Sequence, residues 1–286
     1  MQVNMPLTLG SAYQATSKPI PAAYLSMLYQ KGVPLYNEEG TLAMTATDEA
    51  LDVFEYWTNF YTRHSFPVTA DFVTRFRLGI IPIAIVNFTN YNTLSVSAPE
   101  IEGDWSVAPV PGTLKENGEI DRSMPVANSA AMIIKNSVEK RGNSQAAWEF
   151  LKWWVSENTQ TSYAREMEAI LGSSARYPVA NLESFSKMPW PDDVMDVLTE
   201  SLEYIKGVRQ VPGSYITGRN IENAFYEVVN NPESANSDRI MREWTENTNY
   251  ELNKKRREFG LPTHEDIMPA KNVERRQNDE EGTADE

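Results

Sequence analysis

Four clusters in this sequence set an aromatic ring beside a hydrogen-bonding side chain, and all four read as loops: Tyr13-Gln14, Asn90-Tyr91-Asn92, Arg176-Tyr177 and Tyr215-Ile216-Thr217-Gly218-Arg219. An uncharged polyol asks for this combination. Flat rings cover its C–H faces, while amides and guanidinium forks bond its hydroxyls. Asn87 and Asn90 add amides at the end of a β-branched run, where α/β sheets place ligands. Arg219 carries a further argument, because it falls in the first turn of a helix. A cation there opposes the helix dipole at a cost on the order of a few tenths of a kcal/mol, and a local rule broken without compensation often marks a functional position. The alternative is an arginine turned outward to solvent or onto a nearby carboxylate. Arg176 follows the helix stop Leu171-Gly172 and precedes Tyr177-Pro178, and for it the structural role is the better reading.

Signatures of catalysis are absent. There is no glycine-rich phosphate cradle, no GxSxG elbow and no HExxH. His64 sits at a helix end, where capping accounts for it, and His264 lies near a charged tail. With no cysteine and two histidines, no metal site and no cofactor are expected. Acidic residues such as Asp48, Glu49, Asp192 and Asp193 occupy first helical turns, which explains them by dipole complementarity. A pair of acids converging in space, as in a glycosidase, stays open as an alternative.

The 286 residues carry 26 basic and 40 acidic side chains, a net charge of −14. That excludes nucleic acid and a polybasic membrane anchor, both of which need cationic surface. An apolar fraction of 41% is enough for a core. No run approaches 18 apolar residues, so no spanning helix is expected. The opening MQVNMPLTLG lacks the basic region of a secretory signal, which taken literally implies a cytoplasmic protein.

Helical spacing positions most of these residues. Apolar residues recur three and four apart over Asp48–Thr62 (capped by Thr47), Ser144–Val155, Asp192–Ile205, Asn220–Val229 and Asp238–Phe259, the last with Ser237 as its cap and closed by Gly260 and Pro262. On these faces Trp57, Trp148 and Trp154 are expected in the core. Ile80–Phe88, Trp105–Val110 and Val126–Ile134 read as strands. Strands interspersed with longer helices mean an α/β arrangement. From Lys271 onward the chain is charged without an apolar face and is expected to be disordered.

Taken in order, several segments resemble the extracellular solute-binding proteins of ABC importers, in their sugar-binding, maltose-binding-like branch (family 1). They are Phe76-Arg77-Leu78-Gly79-Ile80-Ile81-Pro82-Ile83-Ala84, Asn90-Tyr91-Asn92, Ala98-Pro99-Glu100-Ile101, Trp105 and Pro109-Val110-Pro111-Gly112-Thr113. Further along come Ala147-Trp148-Glu149-Phe150-Leu151-Lys152-Trp153-Trp154, Glu168-Ala169-Ile170-Leu171-Gly172, Gly213-Ser214-Tyr215 and Lys255 to Leu261. Together they are similar to the C-terminal portion of large Gram-positive members, over residues 1–262.

The resemblance implies an incomplete α/β fold of the type II periplasmic-binding-protein kind, with two lobes closing on ligand as a hinge. It assigns 1–105 and 190–262 to the second lobe and 106–189 to a returning segment of the first, leaving 263–286 as a disordered tail. It implies a non-enzymatic binding protein for a carbohydrate, displayed outside the cell on a lipid anchor and delivering to a membrane permease, a monomer when complete. Tyr13, Gln14, Asn87, Asn90, Tyr91, Arg176, Tyr215 and Arg219 are then the expected ligand contacts. A binder of another solute, or a polysaccharide hydrolase or lyase, is the alternative. The face of Trp148 and the strand Val126–Ile134 would pack on a sheet built by residues outside this chain, so the chain by itself should expose apolar surface.

Overall fold

The computed structural model describes residues 8–9, 22–68, 71–126, 130–176 and 178–268. In chain order the elements are β1 (Thr8–Leu9), α1 (Ala22–Gln30), α2 (Asp48–Thr62), α3 (Phe72–Arg77), β2 (Ala84–Ile85), α4 (Asn90–Ser97), β3 (Thr113–Leu114), β4 (Ile120–Asp121) and β5 (Met124–Val126). There follow α5 (Lys135–Arg141), α6 (Ser144–Trp154), α7 (Glu157–Leu171), α8 (Leu182–Phe185), α9 (Asp192–Leu202), β6 (Ile205–Gly207), α10 (Thr217–Asn230) and α11 (Ser237–Glu258). The chain divides into two compact units. Of the described residues, one draws on 8–9, 71–111, 126, 130–176 and 178–205, the other on 22–68, 112–125 and 206–268.

The second unit is built on α1, α2, α10 and α11. Thr47 caps α2, its Oγ1 accepting from Ala50 N at 3.3 Å, and Asp48 and Glu49 fill the first turn. The apolar stripe that follows buries Leu51, Val53, Phe54 and Trp57 against Tyr24, Leu28, Ile221, Phe225 and Leu252. Trp57 stacks on Phe225 with centroids 4.4 Å apart, and Tyr24 meets both Phe54 and Trp57. Two polar pairs lie inside this core and satisfy one another. Tyr36 Oη donates to Thr217 Oγ1 at 2.8 Å, and burial, partly offset by that bond, pushes its pKa up to about 12. Asn220 Nδ2 donates to Thr248 Oγ1 at 2.9 Å.

α11 ends where its sequence says it must, with Gly260 at φ +66°. Its N-cap is Asn236, whose Oδ1 accepts from Arg239 N at 2.8 Å, one residue before the expected Ser237. The expected tail begins too early. Arg256 Nε donates to Pro262 O at 2.6 Å, Thr263 is buried, and His264 pairs with Thr41 Oγ1 and Asn253 Oδ1. These bonds hold 263–268 against α11, while 269–286 lies outside the described residues.

The first unit has two small cores. One joins Ala164 of α7, Val179, Phe185, Met188, Trp190 and Val194 of α9. The other joins Phe72, Leu94 and Ala98, with Phe76 and Trp105 against them. Residues 72–105 thus share a unit with α7, α8 and α9.

Strands are much shorter than the sequence promised. Of Ile80–Phe88 only Ala84–Ile85 pairs, in parallel with Thr8–Leu9. Trp105–Val110 forms no strand, and among the described residues of Val126–Ile134 only Val126 belongs to one, in β5, which pairs β6. Apolar runs of this kind need neighbours on both edges, and among the described residues each strand has a single partner.

α6 shows the consequence. None of its residues is buried. Trp148, Phe150 and Trp153 are more than half exposed, so Trp148 is not in the core and Trp154 is only partly covered.

Candidate functional site

The first unit carries a concavity with an aromatic wall, a pocket of about 180 Å³. Its construction starts at the end of α4. Pro99 supplies no further amide hydrogen, α4 stops at Ser97, and Pro99–Ile101 makes one 3-10 turn. Gly103 then takes φ +86°, a backbone state costly for other residues, and Asp104 N donates back to Ile101 O at 3.1 Å. This reversal lays Trp105 against Tyr91 of α4, with ring centroids 5.2 Å apart and planes at 59°. The opposite wall is the first turn of α9, where Val194 is buried and Asp193 lines the opening.

Tyr91, Trp105, Ser95, Ser106, Glu102 and Asp193 therefore face one space. Trp190 braces Tyr91 from behind, 5.7 Å between centroids. Among the described residues no ion pair or side-chain hydrogen bond engages the carboxylates of Glu102 or Asp193. No group of three metal-ligating side chains occurs among the described residues, and no helix there is long and apolar enough to cross a membrane.

The expected contacts distribute unevenly. Tyr91 lines the pocket, although it stands on a helix rather than a loop: Asn90 N and Nδ2 both bond Asn87 O, at 2.9 and 3.2 Å, and this turn starts α4 early. Asn87 is exposed and Asn90 half-buried beside that turn, and neither lines the pocket. Arg176 also lies in this unit, but its guanidinium is spent. It grips both oxygens of Glu168 at 2.7 and 3.0 Å, donates to Asn92 Oδ1 at 3.4 Å, and lies 4.8 Å above the Trp190 ring.

Tyr215 and Arg219 belong to the other unit. Tyr215 is exposed on a 3-10 turn and donates to Glu251 Oε1 at 2.6 Å, which holds the phenol above its ordinary pKa. Arg219 is exposed in the first turn of α10, turned to solvent. Tyr13 and Gln14 lie outside the described residues.

Sequence reading missed Trp105, Glu102 and Asp193. Trp105 looked like a strand residue and Asp193 like a helix-dipole partner. The signal available was local: Gly103-Asp104 is a turn pair, with Glu102 just before it and Trp105 straight after it.

Solved structures share this fold. The sugar-binding protein MalE from Xanthomonas citri aligns over 88% of this chain and 61% of its own, with a TM-score of 0.65 and 18% identity. An ABC transporter solute-binding protein from Thermotoga lettingae, bound with α-D-tagatose, aligns over 81% of this chain and 56% of its own, with a TM-score of 0.58 and 16% identity. Maltose-bound MalE3 of T. maritima aligns over 82% and 57%, with a TM-score of 0.55 and 15% identity. No protein-family model matches the sequence, and no curated protein matches it either. The chain spans about three fifths of the length of the solved proteins it resembles, and over that span it has the fold of ABC-transporter solute-binding proteins.

Proposed function

We propose that this chain is part of an extracytoplasmic carbohydrate-binding component of an ABC importer, which captures a sugar without transforming it and delivers it to a membrane permease. The observation that carries this reading is the ring-walled pocket of Tyr91 and Trp105 with hydroxyl and carboxylate groups at its rim. Pyranose rings present apolar C–H faces edged by hydroxyls. Two aromatic walls cover the faces, and Ser95, Ser106, Glu102 and Asp193 accept from the hydroxyls. The shared fold with sugar-binding proteins supports it independently. In the same reading the protein works outside the cytoplasmic membrane, held at the cell surface, as a monomer. Tyr215 and Arg219 are proposed as contacts offered by their own unit, and Asn87 and Asn90 as outer contacts beside the pocket.

Calorimetric titration of the full chain with glucose, maltose and longer oligosaccharides tests this. Losing one stacking ring removes about 1.5 kcal/mol, so Tyr91→Ala and Trp105→Ala should each weaken binding about tenfold. Binding that survives both substitutions unchanged would move the site elsewhere. Release of shorter sugars from an oligosaccharide would instead favour a hydrolase.

A further inference from the structure

We infer that the Tyr91–Trp105 pocket prefers a sugar carrying a protonated amino group, a hexosamine unit, over neutral sugars and rejects uronic acids; this rests on the carbohydrate reading above. The charges lining the pocket are both negative, Glu102 and Asp193, and neither carboxylate is neutralised by a partner among the described residues. The pocket therefore offers an ammonium group two ionic acceptors, with the added strength of charge-assisted hydrogen bonds. Both ring walls work in the same direction, since the face of tyrosine or tryptophan attracts a cation.

An anion finds no cationic side chain in the pocket lining. Arg176, the cation that the sequence offered for a carboxylate ligand, does not line the pocket and is held by both oxygens of Glu168. Arg77 is tied to Glu100 at 2.6 Å. The net charge of −14 adds a long-range field that gathers cations and repels uronates. Ser95 and Ser106 bond neutral hydroxyls equally in all three cases, so they set affinity without setting the preference.

The test is a calorimetric comparison of four tetrasaccharides on the full chain: glucosamine, N-acetylglucosamine, glucose and galacturonate oligomers. At pH 6, where the glucosamine amine is charged, the glucosamine oligomer should bind about tenfold tighter than the glucose oligomer, with galacturonate weakest. The double variant Glu102→Gln, Asp193→Asn should abolish that preference, bringing the glucosamine and glucose oligomers to equal affinity. Equal binding of glucosamine and glucose oligomers would overturn the inference and leave the carbohydrate reading standing. So would a preference that persists in the double variant, because it would then come from overall charge. Binding of none of the four overturns both. An unchanged melting curve of the double variant, measured in parallel, shows that lost preference is not lost folding.

Discussion

Arg176 holds Glu168, Asn92 and the face of Trp190 at once, while Arg219 reaches only into water. The two arginines stood side by side as ligand contacts in the sequence, and burial separates them. With side-chain exposures of 10% and 20%, the Arg176–Glu168 pair is largely desolvated. Removing one partner leaves a poorly hydrated charge behind, which costs about 3 kcal/mol or more. Arg176→Leu should therefore lower the stability of the folded chain by about that amount in urea unfolding. Arg219→Ala should change it by less than about 0.5 kcal/mol. A near-silent Arg176→Leu would show that the pair adds nothing beyond geometry. The sequence contained a hint, the helix stop before Arg176, but the identity of its partners depends on residues 8, 84 and 14 positions away.

The hairpin of β3 and β4 shows element-scale electrostatics that no spacing rule reveals. Thr113 pairs with Asp121 and Leu114 with Ile120, and Thr113 Oγ1 and Ser123 O both bond the side chain of Gln30. Partial burial of Asp121 works against its charge. Hydrogen bonds from Lys115 Nζ and Ser123, with the lysine's positive charge, outweigh that burial and bring its pKa down to about 2. Since the unfolded value is about 3.9, this carboxylate stabilises the fold fully above pH of about 4. The contribution vanishes as pH falls through about 2. Lys115 is nearly half exposed, so screening leaves about 1 kcal/mol of it. Melting temperatures followed from pH 5 to pH 2 should fall more steeply for the native chain than for Asp121→Asn. Parallel slopes would remove Asp121 from the account. Helices were far more legible than this hairpin. α2 occupies the expected span and has the expected cap because its signals lie within 15 residues. The strands were not, because a strand is fixed by its partner and Thr8 meets Ala84 across 76 positions.

At the scale of the whole molecule, the exposed helix α6 and the net charge oppose one another. Trp148, Phe150, Trp153 and Val155 present apolar area to water, and a large exposed apolar patch favours association. A charge of −14 on every copy resists it. Raising salt from about 0.05 M to about 0.5 M shrinks the screening length to a few ångströms. The chain should then self-associate in analytical ultracentrifugation, and Trp148→Glu with Trp153→Glu should suppress it. A chain that stays monomeric at high salt would mean that α6 is covered by something other than a neighbouring copy.

What the sequence determined by itself was local or summed: the long helices with their caps and stops, the acidic balance and the lack of cysteine. Those follow from interactions within a turn or two, or from counting. The tertiary structure alone decided which rings meet. Tyr91 gained Trp105 through a glycine turn and Trp190 from 99 residues away, Arg176 was withdrawn into an ion pair, and Glu102 and Asp193 came to face one pocket. Such encounters depend on long-range packing, which exposes or buries a side chain without regard to the residues next to it in the chain.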